Sequence, residues 1–374
     1  MSDITLVVLC AGESSRFELS VKKQWIRIDD EPLWLNVTKR LSSYSSFQKT
    51  IVVGHKDELF YMKNFSDDFS FVSGGDSRQQ SIVNALEHVT TKYVMITDVA
   101  RCCVPQSIIQ NLITHKSDAS IIVPALNVSD TVVYENSTIN RDNVKLIQTP
   151  QLSTTSLLKE ATLSTVEFTD DSSAIKSLGG TVKYIQGSEK STKITFGEEI
   201  NGLECLPKPN SNTFLGNGID IHQFETGKQM VLGGVEIESD VGFKAHSDGD
   251  VLIHSVIDSL LGACGAGDIG EFFPDTDPKY KGADSKKLLQ YIVKFIANIG
   301  YEIINIDLTI LAEKPKINPH KQIIKSTMSN LLNIGKQKIN IKATTAEKMS
   351  FVGREEGVVV LSSATLKYYD WTKR

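Results

Sequence analysis

The stretch GNGIDIHQF, residues 216–224, places Asp220 and His222 two residues apart inside an apolar run. Side chains two apart on a β-strand lie on the same face, so we predict that these two point the same way. The later stretch AHSDGDVLIHSVIDSLLG, residues 245–262, places His254 in a predicted helix. Asp220, His222 and His254 are therefore a candidate zinc set, with three protein ligands and a fourth position left open, as catalytic zinc requires.

Two carboxylates flank His254 on the predicted helix, because Asp250 and Asp258 each lie four residues away and so near the same face. We predict that Asp258 orients His254, as carboxylates behind metal-binding histidines do. A single histidine is more often a surface or core residue than a ligand, and three such ligands also suit a facial Fe(II) site. The combination of an Asp-x-His strand with HSDGDVLIH favours zinc.

The first half of the chain has a different pattern. Continuous apolar runs, typical of buried parallel strands, alternate with longer helix-like segments. The runs are ITLVVLCAG, KTIVVG, KYVMITD and ASIIVPAL. Strands alternating with helices predict an α/β fold with a mostly parallel sheet. The pattern ends near residue 205, where LPKPNSNTF is typical of a short stiff linker. We predict domains at 1–207 and 212–374, joined by a linker at 208–211.

Bulk composition agrees with a soluble globular protein of two domains, since the chain has 374 residues, 40% hydrophobic and 23% charged. The net charge of −5 disfavours a general nucleic-acid binder. The five cysteines are an odd number without regular spacing, so we predict reduced thiols, no disulfide framework and no cysteine zinc site. The N-terminal apolar run is too short to span a bilayer and lacks a basic leader. These features predict a cytoplasmic protein without a membrane partner.

A turn of small residues, CAGESSRF, follows the first predicted strand, and KKQW comes soon after. Such a turn lets backbone N–H groups approach phosphate oxygens, and Arg16 and Lys23 would neutralise a triphosphate. The turn alone also fits an ordinary strand–turn–helix connection. It is neither a Walker A loop nor a GxGxxG motif. Asp98 ends another buried strand, where it suits either a metal ligand or a helix cap.

These pieces together resemble the 2-C-methyl-D-erythritol 4-phosphate cytidylyltransferase family over about residues 3–205. CAGESSR is similar to the family's AAGxGxR, KKQW to its PKQY with Lys22 in place of proline, and DVAR to its DAAR. SGGDSRQQS is similar to GGxxRxxS, keeping Arg78. The resemblance implies a Rossmann-like nucleotidyltransferase domain. The binding residues that it implies are Gly12, Gly75, Asp76, Ser81, Asp98, Arg101, Thr131, Thr149 and Thr169.

The same resemblance implies roles for four cations. Arg16 and Lys23 would stabilise the pentavalent α-phosphate of CTP, while Arg141 and Lys193 would hold the attacking sugar phosphate. Phosphoryl transfer depends mainly on positioning and on neutralisation of charge. Mg²⁺ or Mn²⁺ is expected on the triphosphate, with Asp98 as its protein contact.

The second half, about residues 212–374, resembles 2-C-methyl-D-erythritol 2,4-cyclodiphosphate synthase. The motifs that carry this resemblance are GIDIH, HSDGDVLIH, GDIGEFFPDTDPKYKGADS, AEKPKINPH and KATTAEKMSFVGREEG. It implies an α/β cyclodiphosphate synthase domain with catalytic His246 and Thr345, Zn²⁺ on the three ligands, and Mg²⁺ or Mn²⁺ on Glu347. The binding residues that it implies are Asp220, His222, His246, Ser247, Asp268, Ile269, Gly270, Phe273, Asp275, Asp277, Ala312, Lys316, Asn318, Thr344, Thr345, Glu347, Phe351 and Arg354.

The whole chain is therefore predicted to be a bifunctional enzyme of non-mevalonate isoprenoid synthesis, acting on CTP and methylerythritol phosphates. Two rivals stay open: a sugar-nucleotide synthetase joined to a zinc phosphohydrolase, and an inactive nucleotide-binding half that docks or regulates the cyclase. The resemblances also imply a homo-oligomer with trimeric cyclase and dimeric transferase contacts. A kinase must act between the two reactions, and it is a candidate partner.

Overall fold

The computed structural model describes residues 2–164, 166–202, 205–245, 248–280 and 282–373. The chain forms two compact units, of which the first ends at Lys208 and the second begins at Pro209. The domain limits given above stay a prediction at the level of single residues. Among the described residues, no helix is long and apolar enough to span a membrane.

The first unit is built on an eight-stranded mixed sheet. Its order is β10-β7-β11-β6-β1-β4-β5, with β12 added alongside β7. Strands β1, β4, β5 and β6 are mutually parallel, whereas β10 and β11 run antiparallel to their neighbours. The predicted α/β class is confirmed. The strands and helices are β1 Ile4–Leu9, β2 Arg27–Ile28, β3 Glu31–Pro32, α1 Leu33–Ser43, β4 Lys49–Gly54, α2 Leu59–Met62, β5 Ser70–Ser73, α3 Arg78–Leu86, β6 Tyr93–Asp98, α4 Gln106–Thr114, β7 Ile121–Asn127, β8 Val132–Tyr134, β9 Ser137–Ile139, β10 Lys145–Ile147, β11 Gln151–Thr154, α5 Thr155–Thr162, α6 Asp171–Ser177 and β12 Val182–Gln186.

The centre of this sheet is buried, because the apolar runs of β1, β4 and β6 pack under helices that include α3, α5 and α6. Val7, Ile51 and Ile96 are fully buried. The parallel strands β1, β4 and β6 end at the same edge of the sheet, so the residues after them converge there. The polar side chains of the first candidate site lie at this edge.

The second unit has a five-stranded sheet of order β16-β13-β19-β17-β18, antiparallel except where β17 and β18 pair. Helix α7 packs across β13 and β19. The strands and helices are β13 Thr213–Thr226, β14 Met230–Leu232, β15 Val235–Ile237, β16 Val241–Phe243, α7 Val251–Cys264, α8 Ile269–Phe272, α9 Ser285–Asn298, β17 Tyr301–Leu311, α10 Lys321–Leu332, β18 Ile339–Thr344, α11 Ser350–Gly353 and β19 Gly357–Tyr368.

Two glycines of β13 allow α7 to lie directly on the strand. A Cβ on Gly216 would stand 2.1 Å from the carbonyl oxygen of Ser259, and one on Gly218 would stand 2.0 Å from that of Ser255. A side chain at either position would therefore overlap the helix backbone. Because Gly218 precedes Asp220 by two residues and Ser255 follows His254, this contact brings the metal-ligand candidates of the strand and the helix together.

Gly218→Ala is expected to destabilise the second unit by about 2–3 kcal/mol, since the added methyl group must push α7 off the strand. Denaturant unfolding of the purified variant measures this loss. Gly262→Ala is the matched control: among the described residues, its Cβ would approach no atom outside its own helix and chain neighbours closer than 3.9 Å, and alanine favours a helix over glycine by up to about 1 kcal/mol. Equal unfolding midpoints for the two variants would contradict this account.

The prediction that all five cysteines are reduced thiols is wrong for one pair. Cys103 and Cys205 form a disulfide, with their Cα atoms 6.0 Å apart, a separation that suits such a bond. Cys10, Cys102 and Cys264 are free and buried. The paired residues are 102 positions apart in the sequence, so no local spacing indicated that the fold would bring them together.

Candidate active sites

The first candidate site is a cavity of about 510 Å³ at the edge of the first sheet where β1, β4 and β6 end. It brings together eight of the predicted residues. These are Gly12, Arg16, Lys23, Gly75, Asp76, Ser81, Asp98 and Lys193. Gln24, His55, Arg78 and Thr195 also line it. Gln24 belongs to KKQW and Arg78 to the GGxxRxxS-like motif, but no sequence pattern singled out His55 or Thr195.

Side-chain hydrogen bonds, and not glycines, set the conformation of the loop after β1. Ser14 has a left-handed backbone, with φ of 57°, a conformation uncommon for a residue with a side chain. Its hydroxyl accepts a hydrogen bond from the Lys23 backbone N–H at 3.0 Å and donates to Gln24 Oε1 at 3.2 Å. Gln24 Nε2 donates to the carbonyl oxygen of Gly12 at 3.1 Å. The KKQW segment therefore fixes the shape of the loop.

A second loop, residues 74–77, closes the other side of the cavity. A Cβ on Gly74 would lie 2.4 Å from the Cβ of Ala11, so only glycine allows the two loops to approach this closely. The Gly75 N–H donates to Ser81 Oγ at 3.1 Å. Ser81 therefore acts here as an internal support for the turn.

Asp98 is paired with two cations at the floor of the cavity. Its Oδ1 lies 3.2 Å from Arg78 Nε, and its Oδ2 lies 2.7 Å from Lys193 Nζ. Burial alone would raise the pKa of this carboxyl, but Arg78 and Lys193 lower it to about 2. Arg78 also bonds Asp171 at 2.7 Å. Asp98 is thus an ionised anchor for cations, and a metal ion there would compete with Lys193.

The amine of Lys23, in the same cavity, has a perturbed pKa. Burial, together with repulsion from Lys193 and Arg16, lowers its pKa to about 8. Its Nζ donates to the carbonyl oxygen of Ile194. Three cationic side chains facing one cavity repel each other until an anion enters, so the arrangement is suited to a polyphosphate.

The remaining five predicted residues of the first unit are not among the described residues that line this cavity: Arg101, Thr131, Arg141, Thr149 and Thr169. Arg101 donates to the carbonyl oxygens of Ser191 at 2.6 Å and Ile147 at 3.1 Å. Thr149 Oγ1 accepts from the Asp98 N–H at 3.3 Å. Both contacts brace the residues around Asp98. The other three are exposed on the surface.

The second candidate site is a metal-ligand cluster in the second unit. The ligand atoms of Asp220, His222 and His254 all lie within 4.8 Å of one another. Asp220 Oδ2 is 3.6 Å from His222 Nε2 and 3.2 Å from His254 Nδ1. Atoms bound at about 2 Å in a tetrahedral zinc site lie about 3.3 Å apart. The predicted juxtaposition of these three residues is present in the structure.

Hydrogen bonds behind the cluster orient both imidazole rings toward it. His222 Nδ1 lies 2.9 Å from the carbonyl oxygen of Gly249, so it donates there and leaves Nε2 free. His254 Nε2 lies 2.9 Å from Ser285 Oγ, which in turn donates to Asp248. These contacts select the tautomers in which the facing nitrogens are lone-pair donors.

The predicted role of Asp258 is wrong. Its Oδ1 accepts a hydrogen bond from the Ile269 N–H at 2.9 Å, and Ser285 holds His254 instead. Asp250 caps α7 by accepting from Ile253 N–H at 3.0 Å. Helical spacing predicts that both carboxylates lie near His254, but each accepts a hydrogen bond from a backbone N–H. Ser285 lies 31 positions from His254 in the sequence. Its position at the start of a helix is the only local feature that distinguishes it.

Asp220 supplies a direct test of whether a cation fits the cluster. Its Oδ2 is buried, and its polar neighbours are the facing nitrogens of His222 and His254, which donate no hydrogen bond to it in the tautomers selected above. An unsatisfied buried carboxylate oxygen is costly, and a cation would satisfy it. The donor set of one carboxylate and two imidazoles suits a divalent metal. The residues present therefore fit a metal ion.

The cluster opens into a cavity of about 650 Å³. The predicted residues Asp220, His222, His254, Ile269, Gly270, Phe273 and Asp275 line it. Lys244, Thr276 and Tyr280 also line it and were not predicted, although Thr276 and Tyr280 belong to the motif GDIGEFFPDTDPKYKGADS. Asp268 caps α8 by accepting from the Glu271 N–H at 3.1 Å, and Asp277 Oδ1 accepts from the Lys279 N–H at 3.0 Å. His246 and Ser247 lie outside the described residues.

The remaining predicted residues are not among the described residues that line this cavity. They lie at or after the ends of β17 and β18. They are Ala312, Lys316, Asn318, Thr344, Thr345, Glu347, Phe351 and Arg354. We call this group the β17–β18 patch. Thr345 Oγ1 donates to Glu347 Oε1 at 2.8 Å. Glu347 and Lys348 have left-handed backbones, with φ of 50° and 63°, and such strain is common at binding sites.

Comparison with known proteins identifies a family for each of the two units. The family model described as 2-C-methyl-D-erythritol 4-phosphate cytidylyltransferase matches residues 4–205, and the YgbB family model matches residues 213–367. The chain is 67% identical over its full length to the full length of "Bifunctional enzyme IspD/IspF" of Aliarcobacter butzleri. It is 50% identical to the enzyme of that name from Sulfurimonas denitrificans, over 99% of this chain and 96% of the relative.

A solved structure covers the same range. "Structure of the Bifunctional IspDF from Campylobacter jejuni" matches with a TM-score of 0.89 and 46% identity, over 100% of both chains. Fold and sites thus define a two-unit enzyme, a nucleotidyltransferase joined to a metal-using cyclase. The chain belongs to the bifunctional IspD/IspF enzymes of isoprenoid precursor synthesis. It has cytidylyltransferase and cyclodiphosphate synthase activities.

Proposed function

We propose that the cavity of the first unit binds CTP and 2-C-methyl-D-erythritol 4-phosphate and joins them with release of diphosphate. The observation that carries this proposal is the convergence of Arg16, Lys23 and Lys193 on one cavity beside the loop after β1. An oxygen of the sugar phosphate attacks the α-phosphorus of CTP, and the bond from that phosphorus to the diphosphate breaks. Arg16 and Lys23 stabilise the charge on the pentavalent phosphorus.

Lys193 and Arg141 hold the sugar phosphate in this proposal. Lys193 is anchored by Asp98, which keeps its ammonium in the cavity. Mg²⁺ or Mn²⁺ bound with the triphosphate would supply positive charge for the leaving diphosphate. Asp98 is already paired with Arg78 and Lys193. We therefore assign the triphosphate oxygens, and not Asp98 alone, as the main ligands of that ion.

In the second unit, Asp220, His222 and His254 would hold Zn²⁺, and Glu347 a second divalent ion, Mg²⁺ or Mn²⁺. The substrate is 4-CDP-2-C-methyl-D-erythritol 2-phosphate. Its 2-phosphate attacks the β-phosphorus of the diphosphate, CMP leaves, and the cyclic diphosphate closes. A bound zinc ion polarises phosphate oxygens as a Lewis acid. His246 and Thr345 stabilise the transition state, while Phe273 and Asp275 line the pocket.

The nucleotide end of this substrate is assigned to two further groups of residues. Asp268 and Gly270 bind the ribose, and the backbone from Ala312 to Asn318 reads the cytosine. Phe351 and Arg354 complete the pocket. Gly270 lines the cavity beside the metal cluster, whereas the β17–β18 patch does not. A second copy of the chain would bring such a patch to the cluster.

We therefore propose a homo-oligomer in which the cyclase forms a trimer with its sites between subunits and the transferase forms a dimer. One exposed face of β13 and β19 is apolar, with Leu215, Ile219, Ile221 and Leu361 at 66%, 59%, 53% and 41% exposure. The β8–β9 hairpin exposes Val133 and Tyr134, each at 62%. Apolar surface of this kind supports subunit contacts. Three-fold and two-fold contacts in one chain lead to closed assemblies.

The two activities are not consecutive. The transferase product carries a free hydroxyl where the cyclase needs a phosphate, and neither half has a Walker A sequence or a kinase glycine loop. With methylerythritol phosphate, CTP, ATP, Mg²⁺ and zinc, the pure protein should stop at the CDP-alcohol. Adding the separate kinase, a candidate partner, should release CMP and form the cyclic diphosphate, as chromatography of the products would show.

Three results of this experiment would contradict the proposal. Cyclic product from the pure protein with ATP but without the kinase would mean that a phosphorylating site exists in the chain. Inorganic phosphate in place of CMP, after the kinase is added, would identify the second unit as a phosphohydrolase. Absence of CTP turnover would support the inactive, docking interpretation of the first unit.

A further inference from the structure

A buried carboxylate stands behind the transferase cavity without lining it. Glu58, just before α2, has a side chain only 3% exposed. Its Oε1 lies 2.7 Å from Lys22 Nζ, and its Oε2 accepts from Trp25 Nε1 at 2.6 Å and from Gln24 Nε2 at 3.5 Å. One carboxylate therefore holds three of the four residues of the segment 22–25. The fourth is Lys23.

Two of the residues that Glu58 contacts, Lys22 and Gln24, also contact the loop after β1. Lys22 Nζ lies 2.7 Å from Glu13 Oε2. Gln24 contacts the Gly12 carbonyl oxygen, and both Gln24 and the Lys23 backbone bond the Ser14 hydroxyl. Glu58 is thus linked, through one intervening residue, to three successive positions of that loop, residues 12–14, and through Ser14 to the backbone of Lys23.

The packing around Glu58 makes this arrangement rigid. Trp25 is fully buried, and its ring centroid lies 5.5 Å from Tyr61, 5.8 Å from Phe65 and 6.2 Å from Trp34. The hydrogen bond to Glu58 therefore ties the carboxylate to an aromatic cluster that cannot shift easily.

The charges around Lys22 are balanced. Burial by itself would lower the pKa of Lys22, yet Glu58 and Glu13 raise it, so the ammonium stays charged between two carboxylates. On the cavity side, Glu13 also faces His55 Nε2 at 2.6 Å. Removing one member of such a buried group leaves its partner's charge poorly compensated.

We propose that Glu58 is a positioning residue of the cytidylyltransferase. Through Lys22, Gln24 and Trp25 it holds the loop after β1, and the backbone of Lys23, in the shape that receives the triphosphate. Glu58 does not itself touch the nucleotide. This inference rests on the proposed placement of CTP against the loop.

Glu58→Gln is expected to raise KM for CTP by about tenfold, the equivalent of one weakened charge-assisted hydrogen bond to the triphosphate. KM for methylerythritol phosphate should not change, because Lys193 is anchored independently by Asp98. A merely structural loss would reduce the active fraction and so lower kcat with both KM values unchanged. That pattern would overturn the proposal, as would an unchanged KM for CTP.

Lys22→Gln is the second variant, and it should raise KM for CTP in the same way. The double variant Glu58→Gln, Lys22→Gln should be no worse than either single one, because the two residues act as a unit. Multiplied effects would contradict this coupling. Asp3→Asn, which removes a Lys116 pair at 2.7 Å on the surface of the same unit, is the matched control and should leave both KM values unchanged.

Two further readouts separate the possible failures. The cyclase activity of every variant reports on the second unit and should stay at the wild-type level. Arg16→Ala tests the placement of CTP itself. If Arg16→Ala leaves transfer unchanged, the proposed function of the cavity fails. If Arg16→Ala impairs transfer and Glu58→Gln does not raise KM for CTP, only the inference about Glu58 fails.

Discussion

Replacing His222 with alanine is expected to remove the zinc ion proposed for the second unit and to lower cyclase turnover by about 10³-fold or more. Two ligands would remain, which is too few to hold the ion in a fixed geometry. Cytidylyl transfer should continue at the wild-type rate, because the residues proposed for it belong to the first unit. Zinc content and CMP release, measured on the same sample, check this result.

Two further variants serve as comparisons for His222→Ala. Ser285→Ala removes the partner of His254 Nε2 without removing a ligand, so metal affinity should fall by only about 10–100-fold. His88→Ala alters an exposed histidine of the first unit, and it should leave zinc content and both activities unchanged. Loss of both activities in folded His222→Ala protein would count against independent units. Full zinc content in His222→Ala would refute the ligand assignment.

Lys23→Ala should produce the opposite separation, with cytidylyl transfer reduced by about 10²-fold or more and cyclisation unchanged. The ammonium of Lys23 is held in the cavity beside Arg16 and Lys193, and alanine leaves the pentavalent phosphate without that charge. Diphosphate release from CTP measures the loss. Transfer at the wild-type rate in Lys23→Ala would show that this lysine is not the phosphate ligand.

The lowered pKa of Lys23 adds a pH dependence to this prediction. With a pKa of about 8 in the free enzyme, the amine loses its charge as pH rises through that value. The ratio kcat/KM for CTP should therefore fall above pH 8. Lys23→Arg is the matched variant, because arginine keeps its charge at these pH values. Its ratio should show no fall near pH 8, whatever its absolute activity, and a parallel fall in both proteins would assign the titration to another group.

The sequence by itself determined the parts of this protein that depend on local periodicity. The apolar runs of β1, β4 and β6 predicted the parallel sheet, and the polar residues after β1 and at the end of β6 predicted a binding edge. The two-residue spacing of Asp220 and His222 placed both on one face of β13, because strand alternation is a property of neighbouring residues. The motif around His254 likewise placed a third candidate ligand on a helix.

The tertiary structure decided which distant groups became partners. Gly216 and Gly218 let α7 lie on β13, which brings His254 to the strand ligands, and Ser285 displaced Asp258 as the partner of His254. Glu58 reached Lys22 from 36 positions away, as Cys103 met Cys205 across 102. A buried carboxylate, imidazole or thiol pairs with whatever donor or acceptor the packed chain places beside it. Spacing along the sequence does not carry that information.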